Sequence, residues 1–300
     1  MKKIGFIGLG HMGFPMASGL LHYGHEVIAY DTNPESLQQF LIETGKISDN
    51  LEQLASESEV IITMLPAGKQ LLDIYHCDSP LQKNLQPGTL CIDCSTIGPL
   101  VSKQWHQMTG QRKIQTVDAP VSGGVAAAKT GSLTFMLGGS IEAVTQAENV
   151  LSSIGTQFIH TGAAGSGQTA KICNNLVLAN NMATISEAFI LAEALGLSKE
   201  KFLQVIKNSS GNSWIVEKYL PIANIVDNVP ANQAYLPGFS GHMMLKDLGL
   251  VEESSQAVSI KLPMTETSHK LYQQMINKKN GDKDFSYMYP FLLEMNQDEE

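Results

Sequence analysis

Arginine is nearly absent from this chain of 300 residues: Arg112 is the only one, and the formal net charge is −9. Nucleic-acid binding draws on clustered arginine and lysine to neutralise phosphates, so no nucleic-acid partner is expected. Cysteine is scarce, with 4 in all, too few for a disulfide framework. Cys91 and Cys94 form a CxxC, but "TLCIDCST" reads as a strand, where positions three apart point to opposite faces. No second cysteine pair and no histidine cluster completes a zinc site, so no metal is expected. Apolar runs of about 18 residues are missing, which excludes a membrane helix from the reading. "MKKIGFIGLG" leaves no room for an apolar signal core ahead of a cleavage site, so the expected location is the cytoplasm. The acidic end, "NQDEE", reads as a solvated tail.

What is present is the mix of a globular protein, 43% hydrophobic and 16% charged, in a chain long enough for two domains. Residues 1–163 alternate short β-branched runs with helical patterns. The strand candidates are "KIGFIGL", "HEVIAYD", "EVIITMLP", "TLCIDCST", "IQTVDAP", "LTFMLGG" and "QFIHTG", with helical patterns such as 11–23, 34–43 and 140–152 between them. This alternation predicts an α/β domain, a doubly wound, largely parallel sheet of Rossmann type.

The first turn, "GLGHMG", fits GxGxxG with Gly8, Gly10 and Gly13, and encloses Leu9, His11 and Met12. Gly8 permits the tight turn, Gly10 lets backbone approach a pyrophosphate, and Gly13 lets the helix pack on the sheet. Asp31 closes "VIAYD" at the distance where an acid binds the adenosine ribose hydroxyls; a strand-end aspartate can instead cap the helix starting at Pro34. Its charge would repel a 2′-phosphate, and "TNPESLQQF" after it offers no cation. The expected cofactor is NAD rather than NADP.

Residues 164–300 read as a second, all-helical domain built on a long helix. Positions 166–195 run without proline, and Gly196 is a plausible C-cap. Helical stretches at 199–208, 242–257 and 263–278 support the assignment. "GSGQTAKICNN" opens the long helix and places Lys171 among Ala170, Ile172 and Cys173, with Asn175 one turn on along the same face.

"GLGHMGFPMA", "DAPVSGG", "GSGQTAKICNN" and "MLKDLGL" together resemble the β-hydroxyacid dehydrogenases, and most closely the 3-hydroxyisobutyrate dehydrogenases among them. The likeness covers almost the whole chain. It implies that Lys171 is the catalytic lysine with Asn175 beside it, and that Ser122, Gly123 and Gly124 form a substrate-carboxylate loop. It further implies that Leu65, Pro66, Gln70 and Thr96 line the dinucleotide, that Lys246 and Asp247 serve the site, with Lys246 reaching cofactor or substrate, and that Trp214 and Tyr219 face the substrate. His11 departs mildly from the family, which often has a smaller or amide residue there. A homodimer or homotetramer is implied as well.

The chemistry agrees with these roles. Oxidising an alcohol needs a hydride acceptor and a base for the hydroxyl proton. A lysine desolvated among apolar groups loses preference for its charged form and can take that proton. The "VSGG" turn offers backbone N–H groups and a hydroxyl to a carboxylate. The expected reaction is NAD-dependent oxidation of a small 3-hydroxy acid to its semialdehyde, foremost 3-hydroxyisobutyrate to methylmalonate semialdehyde in valine breakdown. L-serine or another 3-hydroxy acid, or the reverse reduction of a semialdehyde, stays open.

Overall fold

The computed structural model describes residues 1–110 and 112–297, and the chain divides into two compact units, Met1–Lys171 and Ile172–Glu300.

The first unit carries a nine-stranded sheet. Its strands are β1 (Lys3–Ile7), β2 (Glu26–Tyr30), β3 (Lys46–Ile47), β4 (Val60–Thr63), β5 (Leu90–Asp93), β6 (Gln115–Asp118), β7 (Val121–Ser122), β8 (Leu133–Gly138) and β9 (Gly155–Gly162). The spatial order is β3-β2-β1-β4-β5-β6-β8-β7, with β9 on β8. Strands β3 through β6 are mutually parallel, and β8 is antiparallel to β6 and β7. The first six strands have the order of the dinucleotide-binding fold, which reverses direction of winding between β1 and β4.

Sequence explains the burial. "VIIT" and "LCID" are apolar runs buried at every position, as strands covered on both faces require. Alternate side chains feed two cores: Ile4, Phe6, Ile62, Ile92 and Cys94 on one face, Ile7, Ile61, Cys91 and Trp105 on the other. The CxxC is thus split between opposite faces, both thiols free and buried, and burial pushes the Cys91 thiol up to about 12. Among the described residues, His76, Cys77 and Asp78 group possible metal ligands, but they are exposed and adjacent in sequence.

The second unit is helical. The long helix is Ser166–Ala194, about 44 Å at 1.5 Å per residue. Gly196 ends it at φ +86°, with Leu197 N–H donating to Ala192 O over 2.9 Å, a Schellman closure. Lys199–Lys207, Trp214–Lys218, Gly241–Ala257, Pro263–Asn277 and Met288–Gln297 follow and bury Phe189, Leu248, Tyr272, Met275 and Phe291. Among the described residues no helix is long and apolar enough to cross a membrane.

Candidate active site

In the first unit, the expected dinucleotide residues follow the carboxyl ends of neighbouring strands: Gly8–Gly13 after β1, Asp31 after β2, Leu65 and Pro66 after β4, Thr96 after β5. That edge, at the switch between β1 and β4, is where ligands of open α/β sheets bind.

The glycines have separable duties. Gly8 turns at φ +98°, and a Cβ there would lie 2.3 Å from Met64 O; one on Gly13 would lie 1.9 Å from Gly8 O. Neither position tolerates a side chain, because loop, strand and helix pack through them. A Cβ on Gly10 would meet nothing within 4 Å, so packing does not demand a glycine there. The helix Gly13–His22 starts without a side-chain cap, leaving its N-terminus available to anions. Leu9 keeps its side chain in the core and donates its N–H to Asp31 Oδ2 over 2.5 Å. Asp31 Oδ1 accepts from Asn33 N–H at 2.7 Å, while the helix at Pro34 is capped by Asn33 itself. An open cradle with an acid at the end of β2 fits a dinucleotide. His11 is exposed and Met12 half-buried. Gln70 lies exposed on the helix Gly68–Ile74.

Behind Leu65 and Thr96 lies a buried polar cluster. Ser95 Oγ accepts from Leu65 N–H at 2.8 Å and donates to Asp93 Oδ1 at 2.7 Å; Thr63 Oγ1 donates to the same oxygen at 2.7 Å. Burial raises the Asp93 carboxyl to about 6, against the pull of those hydroxyls.

Ser122 on β7 is half-buried, and Gly123 and Gly124 turn at φ +129° and +66°. A Cβ on Gly123 would strike Ala127, whereas one on Gly124 would meet nothing within 4 Å. Space alone does not exclude a side chain on the second glycine, but its left-handed backbone still favours glycine. Lys171 stands half-buried in the second turn of the long helix, and that turn belongs to the first unit.

In the second unit, Asn175, Lys246 and Asp247 come together. Asn175 Nδ2 donates to Asp247 Oδ2 over 2.6 Å, and Asn174 Nδ2 donates to Asn175 Oδ1 over 3.1 Å, which sets the amide's orientation. Lys246 Nζ lies 3.0 Å from Asp247 Oδ1, an ion pair with a carboxylate that is buried. Trp214 and Tyr219 stack at 5.1 Å, but Trp214 is 53% exposed. Tyr219 donates to the buried carboxylate of Asp284 over 3.0 Å, whose acidity burial weakens.

A matching family model, the NAD binding domain of 6-phosphogluconate dehydrogenase, covers residues 3–162. A second, the NAD-binding of NADP-dependent 3-hydroxyisobutyrate dehydrogenase, covers residues 165–292. The 3-hydroxyisobutyrate dehydrogenase of Bos taurus mitochondria is 38% identical over 97% of this chain and 87% of its own length. The chain belongs to the 3-hydroxyisobutyrate dehydrogenase family. It is an oxidoreductase with an N-terminal NAD-binding Rossmann domain and a helical C-terminal domain. Another family relative, the NAD-dependent L-serine dehydrogenase of Pseudomonas aeruginosa, is 37% identical over 95% of this chain and 96% of its own. The solved structure of the Mycobacterium tuberculosis 3-hydroxyisobutyrate dehydrogenase with L-serine superposes with a TM-score of 0.92 at 37% identity, covering 97% of this chain and 99% of that one.

Several buried residues that shape this region have no role assigned from the sequence, although the motifs "DAPVSGG" and "GSGQTAKICNN" include two of them. Gln168 and Asp118 are the foremost, each fully buried and hydrogen-bonded across long stretches of chain. The available hint was modest: Gln168 lies three residues before Lys171, on the same helical face.

Proposed function

We propose that this chain oxidises the primary alcohol of a small 3-hydroxy acid, with 3-hydroxyisobutyrate giving methylmalonate semialdehyde as the leading reaction, a step of valine breakdown. The observation that carries this reading is Lys171 followed one turn later by Asn175 in the long helix of a family member whose NAD-binding unit holds that lysine.

Gly8, Gly10, Gly13 and Asp31 hold the cofactor through backbone approach and a ribose-binding carboxylate, with Leu65, Pro66, Thr96 and Gln70 along its length. Bound NAD supplies the acceptor for the hydride leaving the alcohol carbon. Lys171, in its neutral form, takes the hydroxyl proton at Nζ, and returns it when a semialdehyde is reduced. Ser122, Gly123 and Gly124 hold the substrate carboxylate by hydroxyl and backbone N–H donors. Asn175 orients the reacting hydroxyl, Asp247 fixes that amide, and Lys246 adds positive charge towards the anion. Trp214 and Tyr219 border the substrate.

L-serine is the second reading, favoured by the relative named for that substrate and by the structural neighbour described with it. Both acids share the carboxylate and the primary alcohol, and differ at C2. Free thiols at all four cysteines suit a reducing compartment such as the cytoplasm. Exposed Val177 and Leu191 on the long helix, with exposed Leu195 just past its end, suit a homodimer or homotetramer.

The test is a set of initial rates with NAD and NADP on both 3-hydroxyisobutyrate enantiomers, L-serine and D-glycerate. NAD-linked turnover of one 3-hydroxyisobutyrate enantiomer above the other acids is the expected result. Preference for L-serine moves the substrate and keeps the mechanism; no turnover of any of the four rejects the reading.

A further inference from the structure

Lys171 can act as a base only if the helix that bears it is fixed relative to the strand ends. Two side chains that have no place in the chemistry above do this. Asp118, the last residue of β6, is fully buried. Its Oδ1 accepts from Gly165 N–H at 2.8 Å and faces His106 Nε2 at 2.9 Å, and its Oδ2 accepts from Gln168 N–H at 2.9 Å. Gln168 N–H is the third-position donor that an N-cap side chain normally serves, and Gly165 N–H belongs to the N-cap residue itself, so Asp118 takes both ends of what a capping box would satisfy. The helix Ser166–Ala194 is therefore capped from β6, by a carboxylate whose charge suits the helix N-terminus. His106 is itself held from behind, its Nδ1 2.6 Å from Thr116 Oγ1.

Gln168 provides the second tie. Its Nε2 donates to Ser95 O at 2.7 Å, and its Oε1 accepts from Ile97 N–H at 3.0 Å and Gly98 N–H at 3.2 Å. This is the segment after β5 that carries Thr96. Gln168, Lys171 and Asn175 follow at i, i+3 and i+7, one stripe of the helix, so the tie is made from the face that bears the lysine. The backbone has no slack here: a Cβ on Gly167 would lie 2.4 Å from Met136 O and 2.8 Å from Asp118 Oδ2, and one on Gly138 would lie 2.7 Å from Gly167 N.

We propose that Asp118, together with Gln168, is a positioning residue for the reaction, setting Lys171 over the carboxyl ends of β5 and β6. The proposal rests on Lys171 being the base. Asp118→Asn keeps the shape but cannot accept from every donor now facing the carboxylate. Small displacements of a catalytic group cost up to about 100-fold in rate. The expected result is a ~10- to 100-fold loss of kcat, with the NAD dissociation constant and substrate KM changed less than about threefold.

The deciding experiment is a double-mutant cycle of Asp118→Asn with Lys171→Ala, kcat being the readout. If Asp118 acts through Lys171, its substitution lowers kcat in the native background and changes it less than about twofold once Lys171 is gone. Equal losses in both backgrounds, or no loss in the native one, overturn the proposal. Full turnover by Lys171→Ala alone would instead reject Lys171 as base, so the two failures are distinct. Gln168→Met, which leaves Ile97 and Gly98 N–H unserved, is run through the same cycle and carries the test if Asp118→Asn does not fold.

Discussion

Leu9 donates its backbone N–H to Asp31 Oδ2 over 2.5 Å, joining the glycine turn to the end of β2. One carboxylate therefore shapes the glycine turn and sets the charge beside it. The two effects separate in Asp31→Asn, which keeps an acceptor for Leu9 and loses the charge. We expect the ratio of kcat/KM for NADP to that for NAD to rise about tenfold, equivalent to ~1.4 kcal/mol, with little change in Tm. An unchanged ratio would show that the charge of Asp31 does not select the dinucleotide.

Gly13 and Gly10 should fail in opposite ways. A methyl on Gly13 collides with Gly8 O at 1.9 Å, backbone that cannot step aside, and Gly13→Ala should cost about 3 kcal/mol or more of stability. Gly10→Ala enters open space and should leave the melting curve in place while weakening NAD by about tenfold. Calorimetry with and without NAD reads both. A Gly10→Ala protein with native affinity would remove this loop from the cofactor site.

These contrasts mark what the sequence makes legible. The glycine turn, Asp31, the alternation of strands and the stop at Gly196 are local: each follows from neighbours within a turn or a strand, and the structure places them where periodicity does. The two-residue strands β3 and β7 are too short to show a period. Helices such as Leu51–Glu57 and Gly124–Thr130 span only two turns and are held by packing rather than by pattern. Least visible are the long-range ties. Asp118 and Gln168 are 50 residues apart, and nothing in either's neighbours announces the other. Tyr219 is similar: its aromatic ring is evident, its partner Asp284, 65 residues on, is not.

Asp93 gives the first unit a pH dependence of definite sign. Burial raises its carboxyl from an ordinary 3.8 to about 6 in the folded protein. As pH rises through that window the unfolded chain gives up its proton first, so stability falls, and above about 6 the loss is complete. The shift corresponds to about 3 kcal/mol as an order of magnitude. Asp93→Asn keeps an oxygen for Thr63 and Ser95 and cannot titrate. Urea unfolding between pH 4.5 and 7.5 should show the native protein losing ground to the variant as pH rises. Parallel curves would mean that Asp93 titrates alike in both states.

Trp214 and Tyr219 stack together yet should answer differently to substitution. Asp284 accepts from Tyr219 Oη, Gly238 N–H, Phe239 N–H, Ser286 N–H and Ser286 Oγ, so the tyrosine hydroxyl is one of several donors holding a buried carboxylate. Tyr219→Phe removes that donor and should cost about 1–3 kcal/mol of stability, with substrate KM near native. Trp214 is 53% exposed, and little of the fold depends on it. Trp214→Ala should leave Tm within a few degrees and lower kcat/KM for the 3-hydroxy acid by about tenfold, since an exposed ring stacked on a fixed one is available to a ligand. Paired thermal and kinetic measurements decide it. A Trp214→Ala protein with native kcat/KM and lowered Tm would make the pair packing alone, and would leave substrate recognition to the Ser122–Gly124 turn and the lysine helix.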